Sequence, residues 1–282
     1  MKVIIVLLFF SLLFSQKNLD IKMKSDSIVI DGTINELEWG NSVIAENFVE
    51  INPGIKNLPA LARTKVRVAY DNKNLYIAFK AFDDRELIRA NQSKRDDIAD
   101  DDRIIVSIDP RNDGVVSHYF SSNPFGNQLD GQKIGNNESD NWDAIWYSSG
   151  NITEDGYEVE MAIPFSTFRS ENTDGLNWRI NFLRFIPRKE GVRIDSWVPI
   201  DRDNTCNPCQ FGYLKGINDV DIKSPIELLP SIVGSSEDSF SSSLGFGISF
   251  PIGETATAEV TLNPDFSQVE SNETKIDINS QT

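Results

Sequence analysis

Histidine, cysteine and methionine are scarce in this sequence. Its 282 residues hold one His, two Cys and three Met. A single imidazole excludes His-pair acid–base chemistry. With only two cysteines beside it, too few ligands remain for a closed zinc site or a disulfide-built scaffold. Positive charge is short as well: 27 Lys and Arg face 43 Asp and Glu, for a net charge of −16. That balance repels phosphate backbones, so nucleic acid is excluded as a partner. No G-x-S-x-G elbow, H-E-x-x-H helix or P-loop occurs, which removes the enzyme classes those motifs mark. A glycosidase needs only two carboxylates at a fixed separation. Among 43 acidic residues some pair always qualifies, so no catalytic residue is assigned. A hydrolase acting on O-glycosyl compounds stands third among the function classes.

What is present suits a folded protein. Hydrophobic residues make up 39% and charged residues 25%, which excludes a disordered or collagen-like chain. The length allows one large domain or two smaller ones. The chain opens MKVIIVLLFFSLLFSQ, with Lys2 as a positive start and an apolar run from Val3 to Phe14 broken only by Ser11. About a dozen apolar residues is short for a bilayer span and right for a secretory signal. Residues 1–16 therefore read as a signal peptide with Ser15 suited to the cleavage position, although Leu13 is an unusual −3 residue. A buried core helix is the competing reading. Export permits a disulfide between Cys206 and Cys209, which read CNPC; two inert thiols fit equally. A redox CxxC would need a βαβ setting, and half a zinc site would need two more ligands.

Period-two alternation dominates the middle of the chain. Residues 28–31 read as a short strand. Residues 64–70 set Val66, Val68 and Tyr70 on one face, turn at Asp71–Asn74, and return through 75–82 as a hairpin. Residues 103–109 and 115–122 form another pair. Residues 142–148 place Trp142, Ala144 and Trp146 together. Residues 156–163 put Tyr157, Val159, Met161 and Ile163 opposite Glu158 and Glu160. Residues 177–186 align Trp178, Ile180 and Phe182. Helical pattern is limited to a turn capped by Asn35 and another after Pro164. The pattern predicts an all-β, antiparallel β-sandwich, jelly-roll-like, of about 190 residues.

Composition shifts near residue 220. A Ser-rich stretch, 234–243, reads as a loop. Leu244, Phe246, Ile248, Phe250 and Ile252 then alternate strictly with small residues, and Ala256 to Leu262 alternates again. Such strands suit an outer-membrane barrel or a further sandwich hairpin. Two or three strands cannot close a barrel, so on the barrel reading residues 221–282 are a linker and its first strands, and the chain is a fragment.

The order of motifs resembles a known family. DGTINELEW (Asp31 to Trp39), RTKVRVAYDNKNLYIAFKAFD (Arg63 to Asp83) and SKRDDIADDDRIIVSIDP (Ser93 to Pro110) are similar to the opening, first hairpin and acidic loop of carbohydrate-binding module family 9-like domains. SDNWDAIWYSSGNITEDGYEVEMAIPFSTF (Ser139 to Phe168) and NWRINFLRFIPR (Asn177 to Arg188) continue the likeness. LNPDFSQVES (Leu262 to Ser271) resembles the entry into the C-terminal barrel of a bacterial group of unknown function that joins such a domain to a predicted outer-membrane β-barrel. The resemblance implies a secreted β-sandwich over 26–220, at the outer membrane, periplasm or surface of a Gram-negative-type bacterium, with poly- or oligosaccharide as partner. Polysaccharide capture or catabolism would be its purpose. A structural or partner-docking domain of a barrel protein is the alternative.

Sugar sites pair a flat aromatic with polar side chains. By type, Trp142, Trp146 and Trp197 are candidates, each weighed against core packing; Trp39 and Trp178 sit among core-patterned residues. Arg103 begins a strand after three aspartates, in a neighbourhood that the resemblance places near the ligand face. Its fork could bind two hydroxyls. It could equally be a surface Arg held by acidic neighbours. Arg184 interrupts an apolar face, so it either points inward with a partner or ligand, or is turned out by a β-bulge. Asp100, Asp101 and Asp102, with Asp96 and Asp97 nearby, could hold a structural Ca²⁺ or form a solvated acidic loop; Asp109 and Asp113 could do likewise. His118 has no Ser or Cys partner motif.

Overall fold

The computed structural model describes residues 16–24, 28–54, 56–135, 137–139, 142–168, 176–222, 227–236, 240–252 and 256–262. The signal read at 1–16 falls outside these residues except for Gln16, and LNPDFSQVES falls outside except for Leu262. The chain opens with β1 (Asn18–Asp20), α1 (Glu36–Trp39), β2 (Val43–Ala45), β3 (Val49–Asn52) and β4 (Leu58–Pro59). Then come β5 (Thr64–Tyr70), β6 (Asn74–Phe82), β7 (Arg103–Asp109), β8 (Val116–Ser122), β9 (Gln128–Ile134) and β10 (Asn137–Ser139). The sandwich ends with β11 (Tyr147–Thr153), β12 (Gly156–Pro164), β13 (Leu176–Arg188), β14 (Gly191–Ser196) and β15 (Gly212–Ile217). Beyond it lie β16 (Glu227–Ser236), β17 (Phe240–Ile252) and β18 (Ala256–Leu262).

Among the described residues the chain forms two compact units. The first runs to Thr167 and resumes to Asp221; the second holds Phe168 and the residues from Ile222. The first unit is an antiparallel β-sandwich. One sheet runs β10-β9-β8-β7-β13-β14-β3-β4, with β15 on β13 and β1 on β15; the other runs β11-β12-β6-β5-β2. The β1–β15 pairing is parallel, so the sandwich takes in residues ahead of position 26. Period-two burial makes the interior. Val66 and Val68 of β5, Ile77 and Phe79 of β6 and Val159 of β12 are fully buried, and so are Val106 of β7 and Phe182 of β13. Phe79 meets Phe182 edge-on at 5.8 Å between the sheets. The hairpin turn is held by Asp71, whose Oδ1 accepts from the Lys73 and Asn74 amides at 2.7 Å.

Three expected features come out differently. Residues 28–31 are not a strand. They begin an extended strap that crosses the outer face of the five-stranded sheet, where Ile28 and Trp39 pack with Ala69, Tyr76, Ala78 and Ala162. Alternation here reflects a ribbon buried on one side, which a strap satisfies as well as a strand. Glu160 pins the strap: its carboxylate accepts from Trp39 Nε1 at 2.7 Å, Gly32 N at 2.9 Å and Asp31 N at 3.0 Å. Gly32 sits at φ +89° with Gly150 backbone 3.1 Å from where a Cβ would lie, so only glycine fits. Residues 142–146 are likewise irregular, and the strand starts at Tyr147. The Ser-rich stretch is mostly strand, shared between the ends of β16 and β17.

The second unit is a three-stranded antiparallel sheet, β16-β17-β18. Register places Leu228, Ile248 and Val260 in one row and Pro230, Phe246 and Leu262 in the next.

Candidate functional site

The chain between β6 and β7, Asp83 to Asp102, contains only a short 3-10 turn at Arg85–Leu87. A segment that long without regular structure is either mobile or held by side chains for a purpose. Here it is held. Asp83 at its start accepts from Arg184 and, at 2.8 Å, from Arg188. Asp102 at its end accepts from Arg188 Nη1 and the Arg89 amide, both at 2.9 Å. Asp101 accepts from the Asn91 amide at 3.1 Å, Asn91 Nδ2 at 2.7 Å and Asn123 Nδ2 at 2.8 Å. Arg95 reaches across to Asp130, to Gln128 at 2.6 Å and to the Ala144 carbonyl at 2.8 Å. Ile98 is buried as an apolar anchor. These clamps leave a hollow of about 640 Å³ on the loop, bordered by Asn91, Gln92, Ser93, Lys94, Asp97 and Asp100 among others. Amides, hydroxyl, carboxylates and ammonium offer donors and acceptors in several directions.

The sequence candidates fall into distinct places. Trp146 and Trp197 are core residues, each 3% exposed. Trp146 packs edge-on against Phe120 at 5.5 Å, and Trp197 lies 5.5 Å from Phe182. Both bury their area inside the sandwich and offer no stacking face. Trp142 is half-buried, lying 4.3 Å from the His118 ring and 5.8 Å from Phe120. It covers His118, and burial pushes that imidazole down to about 4, with Arg111 adding to the shift.

Arg103 is half-exposed. Its guanidinium lies 4.2 Å over the Phe185 ring and donates to the Ile98 and Ala99 carbonyls. It closes the end of the loop instead of reaching out as a fork. Arg184 points inward, since the register through it is unbroken on both sides, against Ile104 and Asp195. No bulge turns it outward. It is fully buried, donates to the Phe82 carbonyl at 2.9 Å and to Asp83, and lies 5.4 Å over Tyr157. Its charge is answered inside the protein, by Asp83 at the start of the loop.

The three aspartates do not assemble. Asp100 is exposed on the hollow, while Asp101 and Asp102 are buried, Asp101 with both oxygens and Asp102 with its Oδ2 taken up by protein donors. Among the described residues no three His, Cys, Asp or Glu side chains are gathered as a metal requires. Asp109 instead braces a turn, accepting from the Arg111, Asn112 and Gly114 amides. Cys206 and Cys209 are joined as a disulfide with Cα atoms 5.4 Å apart.

Asp83, Arg95, Asp130 and Arg188 were not singled out from sequence. The only signal for them was charged residues bordering strand patterns. Burial pushes the Asp102 and Asp130 carboxyls up, and hydrogen bonds and their arginines pull back.

The first unit is thus a β-sandwich with a long polar loop braced beside a hollow. The chain belongs to the carbohydrate family 9 binding domain-like family, whose model matches residues 30–217. Solved structures share the fold. A carbohydrate binding module family 9 from Caldicellulosiruptor kristjanssonii in complex with glucose is 17% identical, with a TM-score of 0.52 over 74% of this chain and 100% of that one. The same source gives a complex with cellotriose at 19% identity, TM-score 0.50, over 71% of this chain and 93% of that one. A Bacteroides uniformis protein described as a carbohydrate-binding candidate is 19% identical, with a TM-score of 0.55 over 71% of this chain and 99% of that one. No curated protein sequence matches the chain.

Proposed function

We propose that this chain is an exported, non-catalytic carbohydrate-binding module that captures a poly- or oligosaccharide at the cell envelope. The observation that carries the reading is the braced loop with its polar hollow, on a fold whose relatives hold glucose and cellotriose. Saccharide hydroxyls need donors and acceptors fixed in advance, because ordering a mobile loop on binding costs affinity. The clamps from Asp83, Asp101, Asp102 and Arg95 supply that fixation. Gln92 and Asp97 are exposed on the hollow and take no part in the clamps. Titration calorimetry of Gln92→Ala and Asp97→Ala with a bound glycan should show affinity lost about tenfold each, the value of one or two hydrogen bonds, with melting unchanged. Equal affinity in both variants would move the site elsewhere.

A second reading rests on the other unit. Leu228, Leu244, Phe246, Val260 and Leu262 are all exposed, and five large apolar side chains on one small sheet are unusual in water. On this reading β16 to β18 begin a lipid-facing outer-membrane wall that carries the module. Membrane fractionation of the full-length product tests it; a product that fractionates as soluble would contradict it.

A further inference from the structure

Strand β1 is short, yet it is built firmly into the sandwich. Its parallel pairing with β15 is extended at both ends. The Tyr213 amide donates to the Lys17 carbonyl and the Ile21 amide donates to the Lys215 carbonyl, each at 2.9 Å. Leu19 and Ile21 are buried. Glycines of β15 make room for the strand. A Cβ at Gly212 would lie 2.7 Å from the Lys17 carbonyl oxygen, and one at Gly216, where φ is +87°, would lie closer still to that of Ile21. Lys17 Nζ donates to the Asn47 carbonyl at 2.8 Å and the Glu46 carbonyl at 3.3 Å. A terminal segment is ordered only when tied down in this way. Among the described residues, the sheet therefore begins at Lys17. The apolar run sets a second boundary: Ser15 at the cleavage position and Leu13 at −3 put a signal cut between Ser15 and Gln16. One residue, Gln16, stands between the two boundaries. It is exposed, and its side chain already belongs to the sandwich, with Nε2 donating to the Phe211 carbonyl at 3.2 Å. Its own carbonyl accepts from Asn18 Nδ2 at 2.9 Å.

We propose that the exported chain begins at Gln16 and that this residue closes on itself to a pyroglutamyl ring, a modification site at the head of β1. The freed α-amine attacks the side-chain carbonyl carbon, Cδ. A Cδ–N bond forms as the Cδ–Nε2 bond breaks. One proton passes from the α-nitrogen to Nε2, which leaves as ammonia. No oxidant, reductant or second reactant is needed. Nucleophile and carbonyl belong to one residue and the ring is five-membered, so the effective concentration is high. Closure removes the terminal positive charge. It also removes the Nε2 bond to the Phe211 carbonyl, at a cost of roughly 0.5–1.5 kcal/mol, and at an exposed position water takes that place. The gain is a terminus without a free amine. An aminopeptidase that removed Gln16 would next reach Lys17, where the sheet begins, and then the buried Leu19. The proposal rests on the export reading and is independent of the glycan reading.

The test is mass spectrometry of the full sequence, produced with its own leader in a Gram-negative host and recovered from the cell envelope. The intact mass and the N-terminal peptide are read together. A chain that starts at Gln16 and is lighter by one ammonia is expected. Gln16→Asn, whose closure would need a strained four-membered ring, should start at the same position and keep its full mass. Aminopeptidase should then shorten the Gln16→Asn chain and leave the wild type intact. An open Gln16 at the terminus would overturn the ring and leave export standing. A start at any other residue would overturn the proposal, and a product that retains residues 1–15 would overturn the export reading with it. The glycan reading survives each of these outcomes, since none of the hollow's residues takes part.

Discussion

Glu160 is fully buried and takes three donors from one strap: an indole and two amides. Burial pushes its carboxyl up, and the hydrogen bonds from Trp39, Gly32 and Asp31 pull it back. Removing the acceptor strands those donors on a covered face. Glu160→Ala should therefore cost about 3 kcal/mol or more in urea unfolding, at roughly 1–3 kcal/mol per stranded group. A loss below about 1 kcal/mol would mean that the strap repairs itself with water. Asp195 sets a pH dependence. Burial lifts its carboxyl from 3.8 to about 6, against the pull of Arg193 and Arg184. The folded state therefore holds this proton more tightly than the unfolded chain. Its contribution to stability is complete below the unfolded value and is lost as pH rises through about 6. Asp195→Asn lacks that loss, so the variant should gain on wild type between about pH 4 and pH 7. Melting curves whose difference is flat over that range would contradict the assignment.

The loop from Asp83 to Asp102 shows what an element without hydrogen-bonded ladders needs. Its clamps are side chains, and each has a separable consequence. Arg95 is partly exposed and bonds Asp130, Gln128 and the Ala144 carbonyl. Arg95→Ala should loosen the hollow and weaken glycan binding, with the loss appearing as a faster off-rate. An unchanged off-rate would show that the loop keeps its shape without this residue. None of the clamps follows from periodicity. The hairpin β5–β6 is legible because Val66 and Val68 alternate with Lys65 and Arg67, a run of apolar residues follows from Leu75, and the turn residues Asp71–Asn74 separate the two. Strand β9 is not legible: QLDGQKI carries Gln, Asp and Lys because its inward positions serve Arg95 and the segment 142–146. Alternation at 28–31 and 142–146 misleads for a related reason. Both segments lie over a sheet face and bury one side without pairing. For Arg184, pattern leaves inward and turned-out placements both open, because its partner Asp83 is 101 residues away and invisible to a local reading.

At the scale of the molecule, two units divide the work. The sandwich carries the hollow, and the second sheet carries the exposed apolar rows. The large negative charge does not collect into a metal site among the described residues. EDTA should leave both melting and glycan binding unchanged, checked by paired melting scans; a drop in melting temperature would bring a cation back into the acidic loop. The central claim is saccharide recognition by a braced loop. Its most direct test is a broad glycan array probed with the folded chain and with Asp97→Ala in parallel. The account predicts binding to a defined saccharide set by the wild type and loss of that set in Asp97→Ala. A folded chain that binds no glycan, or a variant that binds the same set equally well, would contradict it.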